Sequence, residues 1–238
     1  MSAELNDVSK KYGNSFALKN VDLSFETGKI YGLLGPNGSG KSSTLKLLAG
    51  LVYPSSGTVA IDGEAVTRKA AVKVGYLTEL DMFYDTFSVE NMIDFYESQF
   101  HDFDKEKALQ LLEYMELQPR VKIKQLSKGK RGRLKLVLVL SRKTDLLLLD
   151  EPFSGLDPMV RDSIVRSLLS FIDFETQTVI IATHEINEIE ALLDEAYILQ
   201  DGIVKGHCIV EELREERGIS VMEWLKSNTN NEYKGEEN

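Results

Sequence analysis

Gly35-Pro36-Asn37-Gly38-Ser39-Gly40-Lys41-Ser42 decides how this chain is to be read. It follows a short apolar run, Lys29–Leu34, and opens onto Lys41–Ala49, whose pattern predicts a helix closed by Gly50. The order is strand, glycine loop, helix. Glycines so placed let successive backbone N–H groups turn inward around an anion. The helix that follows aims the positive end of its dipole at the same point. The spacing fits G-x-x-x-x-G-K-[ST], the phosphate-binding P-loop. In that reading Asn37, Gly38, Ser39, Gly40 and Ser43 belong to the cradle and Lys41 reaches the β- and γ-phosphates. The Ser42 hydroxyl ligates Mg2+.

The second half of such a site lies more than a hundred residues on. Leu146–Leu149 is continuously apolar, as a strand buried on both faces of a parallel sheet is, and it ends in Asp150-Glu151-Pro152. An acid at the end of a buried strand sits at the carboxyl edge of the sheet, where α/β folds bind ligands. By itself the acidic pair reads as a surface turn. Beside a P-loop, Asp150 reads as the carboxylate that holds Mg2+, and Glu151 as the group that orients or deprotonates the attacking water.

The remaining chain supports an α/β reading. Ala3–Val8, Phe16–Leu18 and Val21–Phe25 alternate as short strands. Thr58–Ile61 precedes a hairpin signal at Asp62-Gly63, and Val72–Leu77 is a further strand. From Ser88 the period becomes helical: Val89, Met92, Ile93 and Tyr96 share one face, as do Ala108, Leu111, Leu112 and Met115, with Asp104 as the N-cap of the second helix. Pro158–Phe171 reads as helix and Thr178–Ala182 as a buried strand. Ala196–Leu199 and Ile203–His207 flank a turn. Trp224, the only tryptophan, is expected to pack on the core. The division that follows is an α/β core over 1–84 and 143–226, a helical unit over 85–142, and a disordered tail over 227–238.

Composition narrows the function classes. The 238 residues carry 28 Lys and Arg against 38 Asp and Glu, a net charge of −10. That balance argues against nucleic acid as a partner. No uninterrupted apolar run exceeds the five residues of Leu136–Leu140, so no membrane-spanning helix is expected. One cysteine, Cys208, excludes an internal disulfide framework. These features give the expectation of a soluble, cytoplasmic protein. Within the acidic chain, Arg120–Lys143 holds ten basic residues and no acidic one. It reads either as a solvated helix face or as a local anion site.

Further motifs resemble those of the ATP-binding cassette (ABC) ATPases, over residues ~3–210 and in that family's order. Ser154-Gly155-Leu156-Asp157 looks like the D-loop, and Ala182-Thr183-His184-Glu185 like the segment carrying the switch histidine. Leu126-Ser127-Lys128-Gly129-Lys130 resembles the signature L-S-G-G-Q, and Tyr12 matches the aromatic that stacks on adenine. The resemblance implies a P-loop NTPase core with an antiparallel β subdomain and an inserted α-helical subdomain. It implies ATP and Mg2+ as ligands and His184 at the γ-phosphate. It also implies a head-to-tail dimer, homo- or heteromeric, in which Ser127 and Gly129 of one chain cover the nucleotide of the other. Asp157, in the D-loop-like segment, would help bind the nucleotide as well as cap the helix beginning at Pro158. The expected function is ATP hydrolysis that drives separate transmembrane permease subunits, in a transporter of export type, from the inner face of the cell membrane. A soluble ABC ATPase of repair or assembly is the alternative. Two departures stand out. Glu79 takes the place of the family's usual Gln, where it accepts water or binds Mg2+, and Lys128 and Lys130 replace Gly and Gln in the signature.

Overall fold

The computed structural model describes residues 2–154, 156, 161, 165 and 170–229. In chain order its strands are β1 (Ala3–Tyr12), β2 (Ser15–Phe25), β3 (Ile30–Leu34), β4 (Ser56–Ile61) and β5 (Glu64–Ala65), then β6 (Val74–Leu77), β7 (Leu146–Asp150), β8 (Thr178–Thr183), β9 (Glu195–Gln200) and β10 (Ile203–Ile209). The α-helices among the described residues are α1 (Lys41–Leu48), α2 (Val89–Gln99), α3 (Lys105–Tyr114), α4 (Lys128–Leu140), α5 (Val210–Arg217) and α6 (Val221–Asn228). One sheet is antiparallel, in the order β2-β1-β4-β5; the other has six strands in the order β10-β9-β3-β8-β7-β6. In the second sheet β9, β3, β8, β7 and β6 run parallel and β10 turns back along β9.

The apolar strands of the large sheet are sorted by the two-residue period of a strand. Leu147, Leu149, Val179 and Ile181 join one core, together with α2, α3, α4 and the buried residues of α5 and α6. Leu146, Leu148, Ile180 and Ala182 join the other, which lies against α1 and the antiparallel sheet. Both faces are covered, so continuous apolar strands are what the architecture demands. The helices between β6 and β7 share their core with the sheet.

Local chemistry sets the helix ends. Gly50 closes α1 in a Schellman arrangement: its N–H bonds to Leu47 O (3.0 Å) and that of Leu51 to Lys46 O (3.0 Å). Ser88 and Asn91 form a capping box on α2, Asp104 caps α3 and Ser127 caps α4. Trp224 is buried, its ring over Gly206 of β10. The turn between β9 and β10 has Asp201 and Gly202 both at positive φ, as a type I′ hairpin requires. It ties three parts of the molecule together. Gly202 N–H donates to Ser39 O in the P-loop (3.1 Å), and Gly202 O accepts from Lys19 N–H in β2 (2.8 Å).

Several expected boundaries shift. Asn20 at φ 45° and slips in the β1–β2 register break the side-chain alternation, so one continuous β2 reads as two strands, and β1 runs on past Val8. Val72 belongs to a 3-10 helix, Arg68–Val72, and is exposed; β6 begins at Val74. At the C-terminus, α6 continues through Ser227 and Asn228, and Thr229 is buried, so the ordered chain reaches past the expected start of the tail. Asp157 and most of the helix expected over Pro158–Phe171 lie outside the described residues.

Candidate nucleotide-binding site

β3, β8 and β7 are neighbours in the sheet, and their carboxyl ends deliver the P-loop, Thr183-His184 and Asp150-Glu151 to one edge. There a cavity of about 440 Å³ is lined by Tyr12, Ala17, Asn37, Gly38, Ser39, Gly40, Lys41, Ser42, Ser43, Glu79, Glu151, Ser154 and His184. Thus one hollow gathers the expected P-loop residues, the expected aromatic and the expected catalytic pair. Asp150 stands just behind it. Ser127 and Gly129 do not line it; they sit at the start of α4.

The loop is shaped for an anion. The N–H groups of Lys41, Ser42 and Ser43 open α1 and have no partners within the helix. Gly40 lies at φ +114°, and a Cβ there would stand 2.6 Å from Leu18 Cδ2 and 2.7 Å from Ala17 O, so the close pass beneath β2 admits only glycine. Ser39 Oγ is buried without a hydrogen-bond partner among the described residues. Lys41 is buried; its ammonium donates to Gly35 O (2.7 Å) and Pro36 O (3.2 Å) and lies 3.8 Å from Glu151 Oε1. Burial pushes its pKa down, opposed by the charges of Glu151 and Asp150.

The carboxylates are held individually. Asp150 is 3% exposed; Oδ1 accepts from Ser42 Oγ (2.9 Å) and Oδ2 from Tyr76 Oη (3.3 Å). Burial pushes its pKa up, against the two hydroxyl bonds. Burial and the neighbouring Asp150 also push the Tyr76 phenol above its usual range. Glu151 sits at φ 46°, which costs an L-residue about 1–2 kcal/mol. Its N–H donates to Ala182 O (2.9 Å), Oε2 accepts from Thr183 Oγ1 (2.9 Å), and Oε1 lies 2.9 Å from His184 Nδ1, which makes Nδ1–H the donor to the carboxylate. Sequence patterns did not mark Tyr76 or Thr183, because a single hydroxyl near a strand end has no periodic signature.

These features fit a metal–triphosphate. No cluster of three or more His, Cys, Asp or Glu that could cage a metal occurs among the described residues. One carboxylate and one hydroxyl, with substrate phosphates completing the shell, is the donor set Mg2+ favours. A cation beside Asp150 and an anion beside Lys41 relieve the two burial penalties together.

Tyr12 is 47% exposed at the cavity mouth, with Lys10 Nζ 4.9 Å from its ring centroid. Glu79 is exposed at the rim, and its carbonyl accepts from Lys135 Nζ (2.8 Å). The basic stretch Arg120–Lys143 proves largely internal in purpose. Six of its ten cations bind the chain itself: Lys122 to Thr86 O, Arg131 to Asp81 and Asp85, Arg133 to Met115 O, Lys135 to Thr78 O and Glu79 O, Arg142 to Asp102, and Lys143 to Asp104. Lys128 and Lys130 remain exposed at the head of α4.

A second, apolar hollow of about 190 Å³ lies between the end of α1, β6 and the helices that follow it, walled in part by Leu51, Tyr76, Leu80, Met82 and Phe83. Leu51, Leu80 and Met82 are largely exposed. No helix among the described residues is long and apolar enough to cross a membrane.

Comparison with known proteins agrees with this geometry. Residues 18–154 match the family model described as "ABC transporter". The ABC transporter ATP-binding protein YtrB of Bacillus subtilis is 31% identical over 215 residues, 90% of this chain and 74% of the relative. A Nod factor export ATP-binding protein I from Burkholderia orbicola is 35% identical over 234 residues, 92% of this chain and 75% of the relative. Among solved structures, the ATP-binding cassette MJ0796, dimeric in a post-hydrolysis state bound to ADP and Pi, superposes with a TM-score of 0.78 at 25% identity, over 87% of this chain and 98% of that one. On its motifs, its fold and these relatives, the chain belongs to the ABC transporter family, as an ATP-binding and ATP-hydrolysing subunit.

Proposed function

We propose that this chain energises an exporter, binding Mg2+–ATP at the P-loop edge and passing the resulting motion to transmembrane permease subunits at the inner face of the membrane. The observation that carries the site assignment is the bond from Ser42 Oγ to Asp150 Oδ1, which joins two motifs 108 residues apart. Relatives named for Nod factor export and for linearmycin resistance support the export direction. Those relatives, together with the exposed apolar hollow beside the Glu79 loop, favour a transporter subunit over a soluble repair or assembly ATPase.

Each residue then has a task. The free N–H groups at the start of α1 and the Lys41 ammonium, exchanged from loop carbonyls to phosphate oxygens, bind the triphosphate. Ser42 and Asp150, with Glu79 at the rim, hold the Mg2+ side; the ion when bound neutralises phosphate charge. Tyr12 stacks on the base. Glu151 accepts the proton of the attacking water, fixed by Thr183 and His184 on its two oxygens. His184 also faces the γ-phosphate. Ser127 and Gly129 complete the site of a second chain, which makes the working unit a homo- or heterodimer, and Asp157 joins the nucleotide-binding set. The core over 1–84 and 143–226 holds nucleotide, while the unit over 85–142 carries the signature. The apolar hollow takes the permease.

Two variants test the assignment. Lys41→Ala is expected to lose binding of a fluorescent ATP analogue. Glu151→Gln is expected to keep that affinity, to run as an ATP-dependent dimer on size exclusion, and to hydrolyse ATP at least 100-fold more slowly. Parental turnover in Glu151→Gln removes Glu151 from its role, and parental affinity in Lys41→Ala removes the phosphate assignment.

A further inference from the structure

We propose that Tyr76 is a positioning residue for Asp150: its hydroxyl pins Oδ2, so that Oδ1 stays turned to Ser42 and the metal side of the P-loop. The inference rests on Asp150 belonging to the Mg2+ site. β6 lies beside β7 in parallel register, with Tyr76 opposite Leu148, two residues behind Asp150. Tyr76 packs against the same core as Leu148 and α1, on the face that carries the P-loop. From there only a long side chain ending in a donor reaches Oδ2, and it does so at 3.3 Å.

A carboxylate buried to 3% exposure has little access to water as a substitute donor. Without Tyr76 Oη, Oδ2 is unpaired, and the single bond from Ser42 to Oδ1 no longer fixes the rotation of the carboxylate. A hydrogen bond to a charged group is among the stronger ones, and leaving the charged partner unsatisfied in the interior costs more again. The penalty therefore falls on the orientation of the metal-binding oxygen. The alternative is that Tyr76 merely fills space, since its ring also walls the apolar hollow. Tyr76→Phe separates the two, because it retains the ring and deletes one oxygen.

The experiment uses the full chain in a Glu151→Gln background, so that ATP is not consumed, with Mn2+ in place of Mg2+. Metal affinity of the ATP complex is read from the free-Mn2+ electron paramagnetic resonance signal. Nucleotide affinity is read in EDTA with a fluorescent ATP analogue. Tyr76→Phe is expected to weaken Mn2+ affinity about tenfold and to shift affinity in EDTA less than twofold. In an Asp150→Asn background the same change is expected to add nothing to the loss of Mn2+ affinity. Mn2+ affinity within twofold of the parent, where Asp150→Asn itself weakens it, overturns the role of Tyr76 alone. Equal losses with and without metal reduce Tyr76 to packing. Parental Mn2+ affinity in Asp150→Asn instead strikes the underlying assignment of Asp150.

Discussion

Glu79 puts a carboxylate at the rim of a cavity built for a triphosphate, where a neutral amide is usual in the family. Its charge opposes nucleotide until a cation arrives, and being exposed it acts through screened, high-dielectric surroundings. Glu79→Gln is therefore expected to tighten ATP-analogue binding in EDTA about threefold at low salt. The gain should shrink in Mg2+ or at high ionic strength; an unchanged affinity in low-salt EDTA would mean that Glu79 points away from the phosphates. At this scale most of the site was legible. Lys41, Ser42, Asp150 and Glu151 announce themselves because phosphate chemistry constrains residue type and spacing at once. Tyr76 and Thr183 do not, since each contributes one hydroxyl that matters only through a partner brought near by folding. The Arg131 fork on Asp81 and Asp85 was hidden for the same reason, fifty and forty-six residues separating the charges.

Helix ends show what a single capping side chain does for an element. Asp104 accepts from Lys107 N–H (2.9 Å) at the start of α3 and pairs with Lys143 (3.0 Å). The backbone bond first, and Lys143 second, hold its carboxyl below the usual aspartate range. A depressed carboxyl stabilises the fold above its unfolded pKa and loses that contribution as pH falls through the folded one. Asp104→Ala is expected to cost about 1 kcal/mol at pH 7 in chemical denaturation, with the gap to the parent narrowing below about pH 4. A constant gap from pH 7 to pH 3 would show that the ionised cap contributes nothing. Elements with a regular period were readable: the buried strands, α1, the helical period from Ser88 and the cap at Asp104 all follow from spacing, whereas the caps at Ser88 and Ser127 emerge only in the structure. Irregular backbone was not. The left-handed Asn20 and the register slips of β1 erase the alternation that a strand reading depends on. The 3-10 turn at Arg68–Val72 is too short to show a period at all.

Across the whole molecule, the proposed function makes the cavity and the head of α4 two half-sites that one chain does not bring together, so a complete site would call for two copies or two relatives. The P-loop and the signature-like segment were both visible in the sequence, but not what holds the phosphate loop in shape. That task falls to the β9–β10 hairpin, whose Gly202 grips Ser39 on one side and Lys19 on the other. A Cβ at Gly202 would lie 2.8 Å from Ala17 O, on a backbone at φ +75°. Gly202→Ala is expected to loosen ATP-analogue binding severalfold and to lower stability by about 1–3 kcal/mol; intact affinity would free the hairpin from any such duty. Selection for loss of transport should then recover lesions at 202, far along the chain from the P-loop, and they would pass for folding mutants until their nucleotide affinity was measured.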